Sequence, residues 1–431
     1  MPDLLERVLY TIKTHQLPGL DLDSQTIFPD YERFNLTLLP GSLSRWLGAP
    51  EFGSGELDGI IAAQLKREYQ HVVLLLVDGL GLNAFQNYVL NRTEEHWSGE
   101  IWRSLWNHHL VSALTSTVPS TTCTALTSLW TGGTPAEHGV LGYEMWLKEY
   151  SLVANMIKLI PNSLEFENGS LLHAGFDPER FLPVPVLGTH LLQAGIQSRA
   201  FLHTAIANSG LSRMNQRGAE CVPYQNNADL FNLLFESLCS QTGSKSYSFV
   251  YWSMLDTYSH RYGPGDDRVW LEFADFSRMF EQFLVRLPKS RAGKTLLLVT
   301  GDHGLTETPF QDEYNLSHHP DVLDQLAIYP SGENRLAYLF ARPRREENLR
   351  YLIEKHWPDQ FDLVRSTEAL QSGLMGSGKV YARTIERVGD WMLIPRGNAY
   401  WWWADKENTL LGRHGGLSAD EMLVPLMAVE L

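Results

Sequence analysis

The segment HVVLLLVDGLG, residues 71–81, indicates the class of fold most clearly. Its apolar run is unbroken and rich in Val and Leu, which is typical of a strand buried on both faces of a parallel sheet. The run ends abruptly in Asp78 and Gly79. Because ligands of open α/β sheets bind outside the carboxyl ends of the strands, an acid at this position is a candidate functional residue.

Other apolar runs along the chain have the same form. SYSFVYWSMLDTYSH starts at Ser246, KTLLLVTGDHGLTE starts at Lys294, SRAFLHTAIANSG starts at Ser198, and EMLVPLMAVEL closes the chain. Helical periodicity lies between them, as in RVWLEFADFSRMFEQFLVRL. Strands that alternate with helices predict an α/β fold with a doubly wound, mostly parallel sheet. We expect a single domain over residues 1–431, with a small inserted subdomain at 330–405.

The composition excludes some classes of partner. Of the 431 residues 44% are hydrophobic, so a large core is expected, and 35 Lys and Arg against 50 Asp and Glu leave a net charge of −15. Such a charge argues against a nucleic-acid polymer or an anionic membrane as a partner. A small anionic substrate stays compatible with it, because bound metal ions reverse the local field.

The cysteines and the amino terminus predict a cytoplasmic protein. Three widely spaced cysteines form no disulfide framework, and MPDLLERVLYTIKTHQLPGL lacks the pattern of a signal peptide. No apolar run approaches the roughly 20 residues that span a bilayer. No pattern in the sequence indicates the oligomeric state.

Carboxylates and imidazoles cluster after the predicted strands. Each one has a structural alternative, since Asp-Gly is a common turn and an Asp at a helix start is a common cap. Together they provide the oxygen and nitrogen ligands that zinc accepts, enough for two three-ligand sites with open positions. Two ions about 4 Å apart stabilise both the attacking and the leaving oxygen of a displacement at phosphorus. The six residues are Asp78, Asp256, His260, Asp302, His303 and His414.

A hydroxyl-rich segment, LTSTVPSTTCTALTSLWTGGTP at 114–135, contains candidate nucleophiles for such a metal centre. Its Ser and Thr side chains are suited to helix capping and turns. Alternatively, a Ser or Thr hydroxyl bound to a metal becomes an alkoxide nucleophile.

The ordered set of motifs resembles the alkaline phosphatase superfamily, and most closely its nucleotide pyrophosphatase/phosphodiesterase branch, the type I phosphodiesterases. The motifs are Asp-Gly after a strand, Thr-x-Pro-Ser before a helix, Asp-x3-His, Asp-His-Gly and a late His-Gly, within 70–320 and 408–431. The resemblance implies an alkaline-phosphatase-like three-layer α/β/α sandwich. It also implies a phosphoric ester hydrolase with two divalent metal ions, either zinc or manganese.

The resemblance implies a role for each candidate residue. Thr117, two residues before Pro119, matches the family's nucleophile and would stand at a helix start, where backbone N–H groups favour a phosphate. The later hydroxyls, Thr122 among them, are then expected to cap and pack the helix. The metal that activates Thr117 would be held by Asp78, Asp302 and His303. The second metal would be held by Asp256, His260 and His414.

One position departs from the family pattern. The phosphodiesterase branch has an Asn after its His-Gly pair that contacts a non-bridging phosphate oxygen, and the chain has Tyr143 there. A Tyr hydroxyl is able to donate the same hydrogen bond. Tyr143 is therefore a candidate substrate-binding residue, with packing as the alternative.

Further side chains have two interpretations each. His318 and His319 are alternative metal ligands or structural groups, and Arg335 is a phosphate clamp or an ordinary arginine. The tryptophans at 401–403 form either an aromatic platform for a substrate or part of the packing.

The sequence favours a phosphodiester or a nucleotide-like ester as the substrate. Monoesterases add positive charge beside the nucleophile, and no Arg or Lys accompanies TVPSTTCT. The same site acting as a phosphomonoesterase, a phosphonate hydrolase or a phosphomutase is the alternative. A non-catalytic binding protein on this fold is the alternative from another class.

Overall fold

The computed structural model of this protein describes residues 2–91, 99–162, 167–240, 243–287 and 293–431. Within these ranges the fold is mixed α/β, with a large, mostly parallel sheet and a second, antiparallel sheet. None of the described helices is long and apolar enough to cross a lipid bilayer.

The secondary structure alternates between strands and helices over most of the chain. The strands are β1 (His71–Val77), β2 (Leu110–Thr115), β3 (Glu144–Leu147), β4 (Leu152–Asn155), β5 (Ile160–Pro161), β6 (Gln197–His203), β7 (Glu220–Tyr224), β8 (Ser246–Trp252), β9 (Thr295–Thr300), β10 (Thr306–Glu307), β11 (Ser331–Glu333), β12 (Leu336–Leu339), β13 (Phe361–Arg365), β14 (Trp391–Pro395), β15 (Gly412–Arg413) and β16 (Leu423–Glu430). The helices are α1 (Pro2–Thr14), α2 (Leu39–Trp46), α3 (Gly59–Ala62), α4 (Leu82–Asn91), α5 (Glu100–His108), α6 (Thr122–Thr131), α7 (Pro135–His138), α8 (Ser170–His173), α9 (Pro178–Phe181), α10 (Leu187–Gln193), α11 (Gly210–Asn215), α12 (Asn227–Ser240), α13 (Met254–Tyr262), α14 (Asp267–Arg286), α15 (Pro320–Leu323), α16 (Glu346–His356), α17 (Ser366–Gln371), α18 (Ala382–Arg387) and α19 (Ala419–Met422).

The large sheet has the strand order β2-β16-β9-β1-β8-β6-β7. Its central strand β1 is buried along its whole length and pairs in parallel with β8 and β9, as its continuous run of Val and Leu predicts. Strand β16 runs antiparallel to both of its neighbours, β2 and β9. The predicted α/β fold with a mostly parallel sheet is confirmed.

The second sheet has the order β13-β14-β12-β11-β3-β4-β5 and joins two distant parts of the chain. The region 330–405 contributes four of its strands, and residues 144–161 contribute the other three through the pairing of β11 with β3. A separate hydrophobic core lies against this sheet and includes Trp357 and the tryptophans at 401–403. The sequence did not predict that the two parts of the chain share one sheet.

The carboxyl ends of the parallel strands bring the candidate residues to one edge of the large sheet. Asp78 follows β1, Asp302 follows β9 after a single glycine, and Asp256 lies in the first turn of α13 after β8. Gly79 has φ +77, and a Cβ atom there would lie 2.7 Å from Leu305 Cδ1 and 3.1 Å from Asp256 Cα. Only glycine therefore fits the turn between these acids.

Candidate active site

His303 lies between two of the predicted carboxylate ligands. Its Nε2 is 3.5 Å from Asp78 Oδ1 and 3.6 Å from Asp302 Oδ2, and all three side chains are buried. The other oxygen of Asp302 accepts hydrogen bonds from the backbone N–H groups of Gly79 and His303, each at 3.0 Å. These bonds fix the carboxylate and leave Oδ2 facing the imidazole.

A second group forms around Asp256 on α13. The i, i+4 spacing places His260 one helical turn later on the same face, with its Nε2 3.3 Å from Asp256 Oδ1. His414 reaches the same oxygen from the far end of the chain, with its Nε2 at 3.8 Å. Strand β15 delivers His414 by pairing with β10, and its ring stacks on that of His303 at a centroid distance of 3.8 Å. The two groups are therefore adjacent.

All three imidazoles are oriented in the same way. The Nδ1 atoms of His260, His303 and His414 lie 2.8, 3.1 and 3.1 Å from the carbonyl oxygens of Gly412, Gly304 and Ser120. A ring that donates Nδ1–H to a carbonyl presents the lone pair of its Nε2, which is the usual arrangement of a metal-bound histidine. The three Nε2 atoms point toward the carboxylates.

The electrostatics of the cluster fit bound cations. Asp256 Oδ1 and Asp302 Oδ2 are buried and accept no hydrogen bond from any described residue. Burial, together with the charges of Asp302 and Asp256, raises the pKa of Asp78 well above its usual value. Burial and the neighbouring imidazoles lower the pKa of His414, which favours the neutral ring that binding of a metal ion would require. Buried carboxylates without partners are costly unless a cation compensates them.

The hydroxyl that faces this cluster belongs to Thr122. Its Oγ1 lies 3.1 Å from His303 Nε2 and 3.5 Å from Asp78 Oδ1. Helix α6 begins at Thr122, whereas Thr117 lies five residues earlier in the loop. The Thr117 hydroxyl is fully buried and donates to the Pro119 carbonyl at 3.0 Å. The predicted placement of Thr117 at the helix start is therefore wrong, because the loop after β2 continues past it.

Two buried ionisable side chains near the site, Tyr251 and Glu333, were not predicted from the sequence. The Tyr251 hydroxyl on β8 hydrogen-bonds to Asp78 Oδ2, and burial raises the pKa of this Tyr well above its usual value. Glu333 on β11 accepts a hydrogen bond from the Thr121 hydroxyl at 2.6 Å and one from the Tyr143 backbone N–H at 2.7 Å. Burial raises the pKa of Glu333 to about 8. Glu333 lies outside every motif, so only the pairing of β11 with β3 reveals it.

The candidate substrate residue Tyr143 is largely buried beside Glu333. Burial raises the pKa of its hydroxyl to about 12, while a hydrogen bond with the Asn155 side chain acts in the opposite direction. Its hydroxyl is thus a neutral donor, positioned by the second sheet.

The other candidates have structural partners. Arg335 is fully buried, with its Nε and Nη2 3.0 and 2.7 Å from the two oxygens of Glu421, and its Nη1 donates to two backbone carbonyls. The guanidinium is therefore not available as a phosphate clamp. The tryptophans at 401–403 are at most 8% exposed, so they pack. His318 and His319 belong to a separate group of residues, with Asp312 and Glu313 as their partners.

The sequence profile of the type I phosphodiesterase/nucleotide pyrophosphatase family matches residues 72–417. The chain belongs to this family. The protein is thus a hydrolase of phosphoric esters in a family that uses divalent metal ions, as the motifs predict. Among curated proteins, none matches the chain significantly.

Several solved structures share this fold. Murine ectonucleotide pyrophosphatase/phosphodiesterase 5 is similar with a TM-score of 0.59 at 15% identity, over 83% of this chain and 87% of that one. An inactive variant of that protein in complex with AMP has a TM-score of 0.60 at 15% identity, over 84% and 88% of the two chains. Phosphonoacetate hydrolase from Sinorhizobium meliloti 1021, in complex with phosphonoformate, has a TM-score of 0.57 at 18% identity, over 84% and 90%. The predicted alkaline-phosphatase-like fold is confirmed.

Proposed function

We propose that this type I phosphodiesterase hydrolyses phosphodiesters or nucleotide-like esters through a covalent phospho-threonine at a two-metal centre. The observation that carries the proposal is the convergence of three carboxylates and three imidazole Nε2 atoms beside one hydroxyl at a helix start. One ion would be held by Asp78, Asp302 and His303. The other would be held by Asp256, His260 and His414. Ligands of this type suit zinc, with manganese as the alternative.

The geometry supports Thr122 as the nucleophile in place of Thr117. Thr122 Oγ1 lies within 3.5 Å of two proposed ligands, whereas the Thr117 hydroxyl is engaged by a carbonyl of its own loop. Helix α6 starts at Thr122 and has ten residues, so its first N–H groups and its dipole favour a phosphate beside this hydroxyl.

The proposed reaction has two displacements at phosphorus. Thr122 Oγ1 loses its proton and forms a bond to the phosphorus while the bond to the leaving alkoxide breaks, and the alkoxide leaves as an alcohol after taking up a proton. Water then loses a proton and forms a bond to the phosphorus while the bond to Thr122 Oγ1 breaks, which restores the Thr122 hydroxyl and releases a phosphomonoester. The carboxylates near Thr122 are held in place by Tyr251 and by the Gly79 N–H. When bound, divalent ions lower the pKa of a contacting hydroxyl and stabilise negative charge on the attacking and leaving oxygens.

The charges around the nucleophile support a diester over a monoester. A monoester carries an additional negative charge that monoesterases compensate with a cation. Here the buried Arg335 is engaged by Glu421, and Glu333 places a carboxyl group between Thr121 and Tyr143. A protonated or ionised Glu333 adds no positive charge to the site. The AMP complex of the murine neighbour supports nucleotide esters as test substrates.

The test compares turnover of bis-p-nitrophenyl phosphate with turnover of p-nitrophenyl phosphate by zinc-loaded protein, followed by nucleotides and dinucleotides. We expect a ratio well above one. A ratio well below one would favour the phosphomonoesterase alternative. No turnover of either compound, together with no tight zinc binding to stripped protein, would favour the non-catalytic alternative. The cytoplasmic location and the exclusion of nucleic-acid and membrane partners stay predictions.

A further inference from the structure

Two histidines and an aspartate form a second candidate metal site, outside the active site. One ligand atom from each of His319, Asp321 and His356 lies within 4.8 Å of the other two. His319 precedes α15, Asp321 lies in the first turn of α15, and His356 is the last residue of α16. The elements that carry them pack in the second hydrophobic core with Trp357.

The His319 ring is held in the orientation that a metal ligand needs. Its Nε2 lies 2.9 Å from the Glu313 carbonyl oxygen, which also accepts a hydrogen bond from Trp357 Nε1 at 2.9 Å. The ring packs against Trp357 with a centroid distance of 4.4 Å. Donation of Nε2–H to a carbonyl leaves Nδ1 with the lone pair, which is the pattern that orients metal-bound imidazoles.

The remaining two groups are also close to ligand geometry. His356 Nε2 lies 2.8 Å from Asp321 Oδ2, and Asp321 Oδ1 accepts the backbone N–H of Val322 at 3.0 Å. The hydrogen bond with His356 lowers the pKa of Asp321, so its carboxylate is ionised. Ligands of a tetrahedral zinc ion are about 3.3 Å apart, given metal–ligand bonds of about 2 Å. Small side-chain rotations are therefore enough to bring the three atoms around one ion.

We propose that His319, Asp321 and His356 bind a zinc ion that ties α15 to the end of α16. Two imidazoles and a carboxylate favour a borderline transition metal over magnesium or calcium, which prefer oxygen ligands. Three protein ligands leave a fourth position for water. The proposal does not depend on the proposed active-site chemistry, because none of these residues belongs to that cluster.

The test counts zinc bound per full-length chain after equilibrium dialysis at micromolar free Zn²⁺. We expect His356→Gln and His319→Ala each to bind one ion fewer than the wild-type protein, whatever the active site binds. Removing one of three ligands is expected to weaken the site more than about 100-fold, since loss of an outer-shell partner alone weakens a site up to that much. The matched control is His318→Ala, because His318 is the adjacent histidine and its Nδ1 lies 3.2 Å from Asp312 instead.

A second measurement separates ligation from misfolding. Circular dichroism of the zinc-free proteins should be the same for wild type and variants, and zinc should raise the melting temperature of the wild type more than that of His356→Gln. Unchanged zinc counts in both ligand variants would overturn the proposal. An equal loss of zinc in His318→Ala would also overturn it, because that residue belongs to a different pair. If the proposed function fails, the wild-type protein should bind no ions at Asp78 and Asp256 but should still bind the ion held by His319, Asp321 and His356.

Discussion

Replacing Thr122 by Ala, with Thr117→Ala as the matched control, tests the assignment of the nucleophile directly. Both changes remove one hydroxyl and one methyl group from the same segment. The Thr117 hydroxyl donates to the Pro119 carbonyl, which also accepts the Thr121 N–H at 3.0 Å. Thr117→Ala therefore leaves this acceptor satisfied and should lower the free energy of unfolding by about 2 kcal/mol, from one lost hydrogen bond and one lost buried methyl group.

Thr122→Ala should instead cost little stability and most of the activity. Thr122 Oγ1 lies 3.1 Å from His303 Nε2 and 3.5 Å from Asp78 Oδ1, so loss of the hydroxyl should lower the free energy of unfolding by only about 1 kcal/mol. Loss of a nucleophile should lower kcat/KM by at least about 10³-fold, which corresponds to about 4 kcal/mol of transition-state stabilisation. The metal content should not change, because the carboxylates and imidazoles are intact.

The assay measures kcat/KM on bis-p-nitrophenyl phosphate with zinc-loaded protein, together with metal content and urea unfolding. Thr122→Ser should retain part of the activity, since it keeps a hydroxyl at the helix start. Acid-quenched wild-type enzyme should yield a phosphorylated peptide that contains Thr122, and Thr122→Ala should not. A Thr122→Ala variant that stays near the wild-type rate, together with a folded Thr117→Ala variant that loses activity, would show that Thr122 is not the nucleophile.

Three further predictions concern the surroundings of the nucleophile. Removing the metal with a chelator should abolish turnover, and added Zn²⁺ or Mn²⁺ should restore it. Asp256→Asn should lower the number of zinc ions bound by the folded protein. Full activity after verified metal removal would contradict the two-metal proposal. In metal-free protein burial raises the pKa of Glu333 from 4.5 to about 8. Protonation of Glu333 therefore adds to the free energy of unfolding below pH 4.5, and this contribution is lost as the pH rises through 8. As the pH rises from 4.5 to 8, the free energy of unfolding of Glu333→Gln, measured with urea, should therefore increase relative to that of the wild type by up to about 5 kcal/mol. A difference between the two proteins that does not change with pH would show that Glu333 is not protonated in the folded state. Arg335→Met should lower the free energy of unfolding by about 3–5 kcal/mol because it leaves the buried Glu421 unpaired, and adding Glu421→Gln should recover part of the loss; equal destabilisation of the single and double variants would exclude this explanation.

The sequence predicted the large sheet because its signal is local. The apolar and aromatic runs that become β1, β8 and β9 are buried along their whole length, and only a few Ser, Thr and His side chains interrupt them. The same reasoning placed the acids correctly, since parallel strands bring their carboxyl ends to one edge. The second sheet escaped prediction because β3 and β11 pair across a long stretch of chain, and short strands carry no local sign of a distant partner.

The amino-acid sequence specifies which carboxylates, imidazoles and hydroxyls are available for chemistry and the order in which they occur along the chain. The sequence does not specify which hydroxyl faces the carboxylates and imidazoles, because Ser and Thr at neighbouring positions are chemically alike. Only tertiary structure made that choice, through partners that come from remote parts of the chain. The hydroxyls of Ser116, Ser120, Thr121 and Thr122 lie against Asp302, Gly416, Glu333 and His303, respectively. A shift of a few residues in the start of α6 would exchange these partners, and the packing of Trp130 on α6 against Tyr247 and Phe249 on β8 opposes such a shift.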